Sequence, residues 1–569
     1  MDTRSSAVPS SAHLWRARIR NATLLCVAAL AASILMTWPL AAGMGHLGRT
    51  QNSGDGRFAV WNVAWVAHAL ITNPLDLYDA NIFYPHRKAL AFSEANIGAG
   101  ALAVPVWAAT HNPYASHNSV VLFAFSASVV FTWLLVRRLG GDGGAAATAA
   151  VLFAFCPYLF SHTAHIQLLM AAGIPLCLLA FHRLVDAPSP GRGVALGLAL
   201  AAQAMSCAYY GVSAGLTVGY ATLFYAWSRR LWTSRAFWTA TAIAAALSVG
   251  IVVPFFLPYL QIQEETGFTR SLDDARHWSA YIRSYLASGA HAHAWLLPLI
   301  RDWNNAVLFP GFVSIGLAIA GAWMVCRRAE AIEGTARLPR GRETALLYGS
   351  IALVTFWASL GPRAGLYTAL HVTIPVFSFL RAPERMGVVV ALCLAVLAAH
   401  AVRAFRERAP RHRAAIAAIV CALALVELND IPFDWRPADP IASAYGTLAQ
   451  MPRGPVAEFP FYNQRIDFHL HTRYMLRSTV HWQPLVNGYS DHIPGEFRTL
   501  ANTLATFPSK DAFDALKRHR VRYVTLSRAG YGQSTWPEVE RLLQPYLPHL
   551  KRVADDGELV IYEVVSWPR

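Results

Sequence analysis

Apolar residues gather along the chain into blocks of about 20, the length an α-helix needs to cross the hydrocarbon layer of a bilayer. Blocks at 22–43, 117–136, 144–160, 166–182, 191–208, 210–228, 237–260, 309–326, 344–361, 386–404 and 412–428 predict eleven membrane-spanning helices. Short polar stretches that carry arginine separate them. Two other apolar stretches, 95–110 and 366–380, are read differently, because Pro105 interrupts the first and His371 and Pro375 the second. They predict interfacial or re-entrant helices, whose irregular backbone must be covered by protein.

Arginine placement gives the orientation. Arg16, Arg18 and Arg20 precede the first block. Arg137 and Arg138, then Arg229, Arg230 and Arg235, then Arg403, Arg406, Arg408, Arg411 and Arg413 fall on the same side of the predicted topology. That side holds about twice the Lys and Arg of the opposite one, although the opposite loops are longer in total, and this marks it as cytoplasmic. The N-terminus is then expected in the cytoplasm, and the segments 44–116, 261–308 and 362–385 outside. The first block is too long for a cleaved signal and reads as a retained span. The protein is expected in the cytoplasmic (inner) membrane, with its C-terminus extracytoplasmic.

Past Asn429 the pattern changes. Residues 431–440 form a Pro-rich linker. Beyond it, 455–461, 521–527 and 558–565 predict strands, and 509–519 and 537–546 have helical spacing. The expected fold is a polytopic α-helical membrane protein of about 11 transmembrane helices with a C-terminal soluble α/β domain. The membrane domain is drawn over 1–430, including the outer loop 44–116, and the extracytoplasmic domain over 431–569.

Composition narrows the function. Only 14% of the 569 residues are charged, against about 25% in soluble proteins, which excludes a simple soluble enzyme and a disordered chain. The net charge is +15. Its arginines lie between apolar blocks rather than on one soluble surface, so no nucleic-acid partner is expected. All 7 cysteines sit in or beside apolar blocks, which leaves no readable disulfide framework or cysteine metal site.

Soon after the first block comes Gly54-Asp55-Gly56-Arg57-Phe58-Ala59-Val60-Trp61-Asn62, then Leu77-Tyr78-Asp79-Ala80-Asn81-Ile82-Phe83-Tyr84-Pro85. Thr132-Trp133-Leu134-Leu135-Val136-Arg137-Arg138-Leu139 ends a later block in basic residues. This arrangement, over about residues 15–230, resembles the GT-C superfamily of membrane glycosyltransferases, such as protein O-mannosyltransferases and aminoarabinose transferases. The resemblance implies a first outer loop with an acidic residue near its start, interfacial helices, and a polyprenyl-phosphate-linked sugar as donor. It also implies attack by an acceptor hydroxyl or amide at the anomeric carbon with inversion. Asp55 then matches the general base, since a carboxylate beside the membrane can take the acceptor proton. Its plain alternative is a turn residue between two glycines. That superfamily commonly shows two acidic residues here, whereas Asp55 stands alone. No cofactor is assigned; a divalent metal stays open, with no ligand cluster in the sequence to support it.

Other candidates lie in the outer layer. His86, Arg87 and Lys88, with Tyr84 beside them, suit a donor phosphate or lipid headgroups. Glu94 is a candidate second acid, or a carboxylate that favours a helix N-terminus. In Phe379-Leu380-Arg381-Ala382-Pro383-Glu384-Arg385-Met386, Arg381 and Arg385 suit a phosphate clamp with Glu384 orienting one of them. The alternative is a structural ion pair. Histidine pairs occur at His162/His165, His291/His293 and His469/His471; no cluster completes any of them for zinc, and His165 falls near the expected site. The loop 261–308 alternates charges, which fits either a solvated face or a lid. His481-Trp482 through Tyr489-Ser490 suits either sugar rings or a domain core.

The expected function is a membrane glycosyltransferase acting on an extracytoplasmic glycan, lipid or protein acceptor. A lipid-linked glycan flippase and an inactive scaffold are the alternatives. A flippase predicts ionisable groups at mid-membrane, whereas charge here concentrates in the outer layer.

Overall fold

The computed structural model describes residues 11–49, 54–267, 269–300, 306–329 and 339–569. Residues 50–53 of the outer loop and 301–305 of the charged loop lie outside these. The first half contains helices α1 (Ser11–Met36), α2 (Gly54–Thr72), α3 (Ile97–Thr110), α4 (Pro113–Arg138), α5 (Gly143–Ala154), α6 (Pro157–Ser161), α7 (Ile166–Leu169) and α8 (Gly173–Asp186). There follow α9 (Pro190–Ser206), α10 (Ala208–Ser228), α11 (Arg235–Thr266), α12 (Leu272–His277), α13 (Phe312–Ala329), α14 (Arg340–Ser359), α15 (Leu366–Thr373), α16 (Gly387–Arg408) and α17 (Arg413–Glu427).

Each predicted apolar block is helical. Among the described residues, 6 stretches are long and apolar enough to cross a membrane: Trp15–Met36, Pro113–Arg138, Gly143–Ser161, Ile166–Asp186, Arg235–Thr266 and Pro383–Arg408. The molecule is an integral membrane protein. The remaining helices at predicted blocks are shorter or more polar. α9 has 17 residues and α17 has 15, while α14 opens with Arg340, Arg342 and Glu343. The Pro-interrupted stretches form α3, of 14 residues, and the pair α15 and a 3-10 turn at Pro375–Phe379.

The C-terminal region adds α18 (Ala444–Gln450), α19 (His471–Arg477), α20 (Gly495–Leu504), α21 (Lys510–Arg518), α22 (Arg528–Tyr531) and α23 (Trp536–Leu543). These surround a four-stranded sheet of β3 (Val456–Phe459), β4 (Tyr523–Ser527), β5 (Leu550–Asp555) and β6 (Leu559–Val564). The order is β3-β4-β6-β5, parallel between β3 and β4 and antiparallel elsewhere. Three of these strands match the expected segments. β5 is an addition: its Lys551, Arg552 and Asp555 are largely exposed on an edge strand, so no apolar alternation marks it.

Two cores form. One fills the membrane helices, with the stacked rings of Phe125, Phe155 and Phe160 near its centre. The other joins the C-terminal domain to the outer loop: Trp61 and Trp65 of α2, with Phe83 and Phe92, share one buried cluster with Val456, Tyr523 and Ile561. The outer loop thus supplies about a third of that core rather than being a free excursion. The Pro-rich linker is likewise docked, since β2 (Arg436–Pro437) pairs antiparallel with β1 (Leu47–Gly48). Trp482 belongs to this seam. It stacks on His68 at 4.5 Å and meets Trp65 and Trp107 edge-on, which is the packing role among its two sequence readings.

Candidate active site

Asp55 lies in the first turn of α2, where the unpaired N–H groups and the helix dipole favour a carboxylate. Its glycine neighbours are required by packing rather than by a turn. A Cβ on Gly56 would overlap the Arg49 carbonyl, and one on Gly54 would come within 2.8 Å of the His469 carbonyl oxygen. The first turn is therefore pressed against α1's trailing segment on one side and the C-terminal domain on the other. This close approach fixes the direction of the Asp55 side chain.

The carboxylate Oδ2 lies 3.2 Å from Nε2 of His165, and Oδ1 accepts a hydrogen bond from the Tyr489 hydroxyl at 3.4 Å. Burial works to raise the carboxyl pKa. The hydrogen bond and charge of His165, the Tyr489 hydroxyl and the charge of Arg381 outweigh it, and hold the group below the usual carboxylate range. Asp55 is thus ionised at neutral pH and able to accept a proton.

Asp55 opens into a cavity of about 1280 Å³ whose polar end is also lined by Glu94, His165, Tyr209, Arg381 and Arg385. Three chain segments meet there: the outer loop, the 3-10 turn Pro383–Met386 ahead of α16, and the C-terminal domain. Away from that end the walls become apolar. Met205 of α9, Val212 of α10, and Val252 and Phe256 of α11 form a groove down toward the membrane region.

The arginines at the polar end have different surroundings. Arg381 forms an ion pair with Asp491 at 2.7 Å, its guanidinium lies 5.4 Å from the Trp278 ring, and its backbone N–H donates to the Tyr209 hydroxyl. Arg270 of the charged loop pairs with the other oxygen of Asp491. Ile262, Gln263, Arg270 and Trp278 of that loop line the cavity, while its Glu264, Glu265, Asp273, Asp274 and Arg276 are exposed. Arg385 instead lies over the Tyr209 ring at 4.0 Å, with Nε buried and without a hydrogen-bond partner among the described residues.

The remaining expected site residues divide. Glu94 lines the cavity, but its Oε1 accepts the backbone N–H of Ala208 at the start of α10. Burial raises its pKa, an effect eased by that hydrogen bond and by the charge of Arg385. Glu384 lies outside the cavity wall, and its Oε2 is buried without a hydrogen-bond partner among the described residues. The carboxylate that orients an arginine here is Asp491. His86, Arg87 and Lys88 line an adjoining cavity of about 900 Å³ that shares Tyr78, Phe92, Ile262 and His492 with the first. Arg87 pairs with Asp79 at 3.2 Å, and the Lys88 Nζ donates to Gln261 Oε1 at 2.6 Å. Tyr84 lines neither; its backbone N–H donates to the Leu485 carbonyl and ties the loop to the domain.

The histidine pairs also separate. His162 Nδ1 faces the Tyr158 carbonyl at 2.7 Å, and burial lowers its pKa to about 3. His293 pairs with Glu427, and His471 faces the Tyr462 carbonyl. Among the described residues no three His, Cys, Asp or Glu side chains converge to hold a metal ion. Sequence reasoning passed over Asp491 and Tyr209. A Tyr-Ser-Asp tract in a C-terminal domain carries no local sign of a partner in the membrane region.

No family model and no curated protein matches the chain. Solved structures do. The arabinofuranosyltransferase AftD from Mycobacteria superposes with a TM-score of 0.58 at 16% identity, over 95% of this chain and 40% of that one. A variant of the same enzyme gives 0.59 at 17%, over 96% and 41%. The chain thus spans about 40% of the length of that enzyme. ArnT from Cupriavidus metallidurans gives 0.48 at 14%, over 98% of this chain and 100% of its own. The arabinofuranosyltransferase match shows that the chain shares the fold of that part of the enzyme.

Proposed function

We propose that the protein is an integral-membrane glycosyltransferase that moves a sugar from a polyprenyl-phosphate donor to an extracytoplasmic glycan, lipid or protein acceptor. It would sit in the inner membrane with its N-terminus cytoplasmic and its C-terminal domain outside. Supporting this is one observation above all: an ionised carboxylate, Asp55, held by His165 and Tyr489 at the polar end of a cavity whose other end is an apolar groove. A lipid tail suits the groove, and arginines beside the carboxylate suit a phosphate.

In the reaction, the acceptor O–H or N–H gives its proton to Asp55 as the acceptor atom bonds to the anomeric carbon. The carbon–oxygen bond to phosphate breaks, and its electron pair leaves on the phosphate oxygen. Arg385 stabilises that negative charge, with Arg381 beside it held by Asp491. Attack from the face opposite the leaving phosphate inverts the anomeric centre. Glu94 acts at a distance by holding the N-terminus of α10.

The test is transfer in proteoliposomes supplied with labelled polyprenyl-phosphate arabinofuranose, the sugar suggested by the name of the matched enzyme, and an envelope glycan fraction. Release of polyprenyl phosphate is the readout. Asp55→Asn is expected to lower kcat by at least about 10²-fold, the range for removing a general base. Undiminished turnover removes Asp55 from the chemistry.

A further inference from the structure

The segment 487–492 crosses the polar end of the cavity as a strap anchored at both ends. At one end Asn487 is held by two hydrogen bonds to the Glu458 backbone, its Oδ1 accepting at 2.8 Å and its Nδ2 donating at 2.9 Å. Gly488 lies against the Phe83 ring, which a Cβ would approach to 2.6 Å. At the other end the His492 N–H donates to the Phe92 carbonyl at 2.9 Å. Between these anchors the strap sends Tyr489 to Asp55 and Asp491 to Arg270 and Arg381.

Asp491 therefore spends one negative charge on two guanidinium groups, each on a different oxygen. Of the three arginines at this end, only Arg385 has no carboxylate within ion-pair distance among the described residues. Arg465 and Arg498 also border the cavity, but both side chains are exposed, where water screens them. A phosphodiester, which carries one charge, needs one such uncommitted cation. A diphosphate linkage carries a second charge, which in a partly desolvated site is costly without its own partner.

We propose that Asp491 is a specificity-determining residue that acts through Arg270 and Arg381 and limits the charge of the phosphate linkage the cavity accepts. The proposal rests on the lipid-phosphate reading of this site. Because the strap is fixed on both sides, Asp491 stays in place when the donor binds. Replacing its charge removes the carboxylate that both arginines share, so that their positive charge can meet a second phosphate.

The experiment measures binding of a polyprenyl-phosphate sugar and the corresponding polyprenyl-diphosphate sugar, whose linkages carry one and two charges, to the full chain in nanodiscs, for wild type, Asp491→Asn and Asp491→Glu. Wild type is expected to prefer the polyprenyl-phosphate sugar. Asp491→Asn is expected to move the ratio of the two dissociation constants at least about tenfold toward the diphosphate, as for one charge-assisted contact. Asp491→Glu restores the wild-type ratio, which a merely structural role for Asp491 does not predict. An unmoved ratio with both lipids still bound overturns the proposal alone. So does equal tightening of both, since Asp491 is then a displaceable competitor. Binding of neither lipid to wild type overturns this proposal and the donor reading together.

Discussion

Arg385 and Arg87 are the same side chain in two media. Arg87 stands on the rim of the smaller cavity, 81% exposed, with its charge already shared with Asp79. Arg385 lies over Tyr209 in the larger cavity, with a buried Nε that has no hydrogen-bond partner among the described residues. An exposed pair gains little because water screens both members, while a cation in a partly desolvated wall with no carboxylate at ion-pair distance among the described residues holds a strong attraction for an anion. The lesson is that basic residue type does not make a phosphate site. The amount of water left around the cation, and whether a carboxylate has reached it first, decide the matter.

The sharpest way to break the contrast is Arg385→Gln. It removes the uncommitted cation and keeps a polar side chain of similar reach. Affinity for polyprenyl monophosphate is expected to fall about 100-fold, the upper range for a hydrogen bond to a charged group. Equilibrium binding in nanodiscs reads this directly, and a change below threefold would remove Arg385 from the phosphate site.

The second test uses pH. Burial alone would raise the Asp55 pKa, and His165 is the largest influence that reverses it. In His165→Ala, desolvation is opposed only by Tyr489 and Arg381, so the carboxyl pKa must rise. A general base works only when ionised, and its contribution is lost as pH falls through its pKa. Wild-type kcat/KM is therefore expected to hold from neutral into weakly acidic pH, whereas the acid limb of His165→Ala moves toward neutral. The mutant-to-wild-type ratio should therefore be smaller at pH 5 than at pH 7.5. A limb that stays put would mean that His165 does not set the charge of Asp55.

These tests also show which parts of the site the sequence discloses. Long apolar blocks announce their helices because the bilayer imposes a length, and Asp55 stands out by its place after the first of them. α2 is harder to see. Glycines flanking Asp55 have the pattern of a turn, and only the approach of Arg49 and His469 explains why small residues open a helix there. The second layer of the site is hidden for a different reason. Tyr489 lies 434 residues from Asp55, and Asp491 lies 221 from Arg270. Neither pairing leaves a period or spacing in the chain. Glu384, adjacent to Arg385 in sequence, looked the natural partner; the 3-10 turn at Pro383–Met386 instead leaves Glu384 behind the wall.

The smallest expected effect completes the contrast. Arg87→Gln combined with Lys88→Gln removes two positive charges from the adjoining cavity, which a count of basic residues would rank above the loss of Arg385 alone. Both side chains already have partners, Asp79 and Gln261, and Arg87 is mostly in water. Their long-range field at the larger cavity is screened within about 10 Å at 0.1 M salt. Binding of polyprenyl monophosphate should therefore change less than about twofold at that salt, in line with exposed ion pairs. Repeating the measurement at about 10 mM salt extends the screening length to about 30 Å, and a somewhat larger loss there is expected. A loss at 0.1 M that rivals Arg385→Gln would mean that the donor's phosphate rests against the rim cluster, and that the two cavities have exchanged roles.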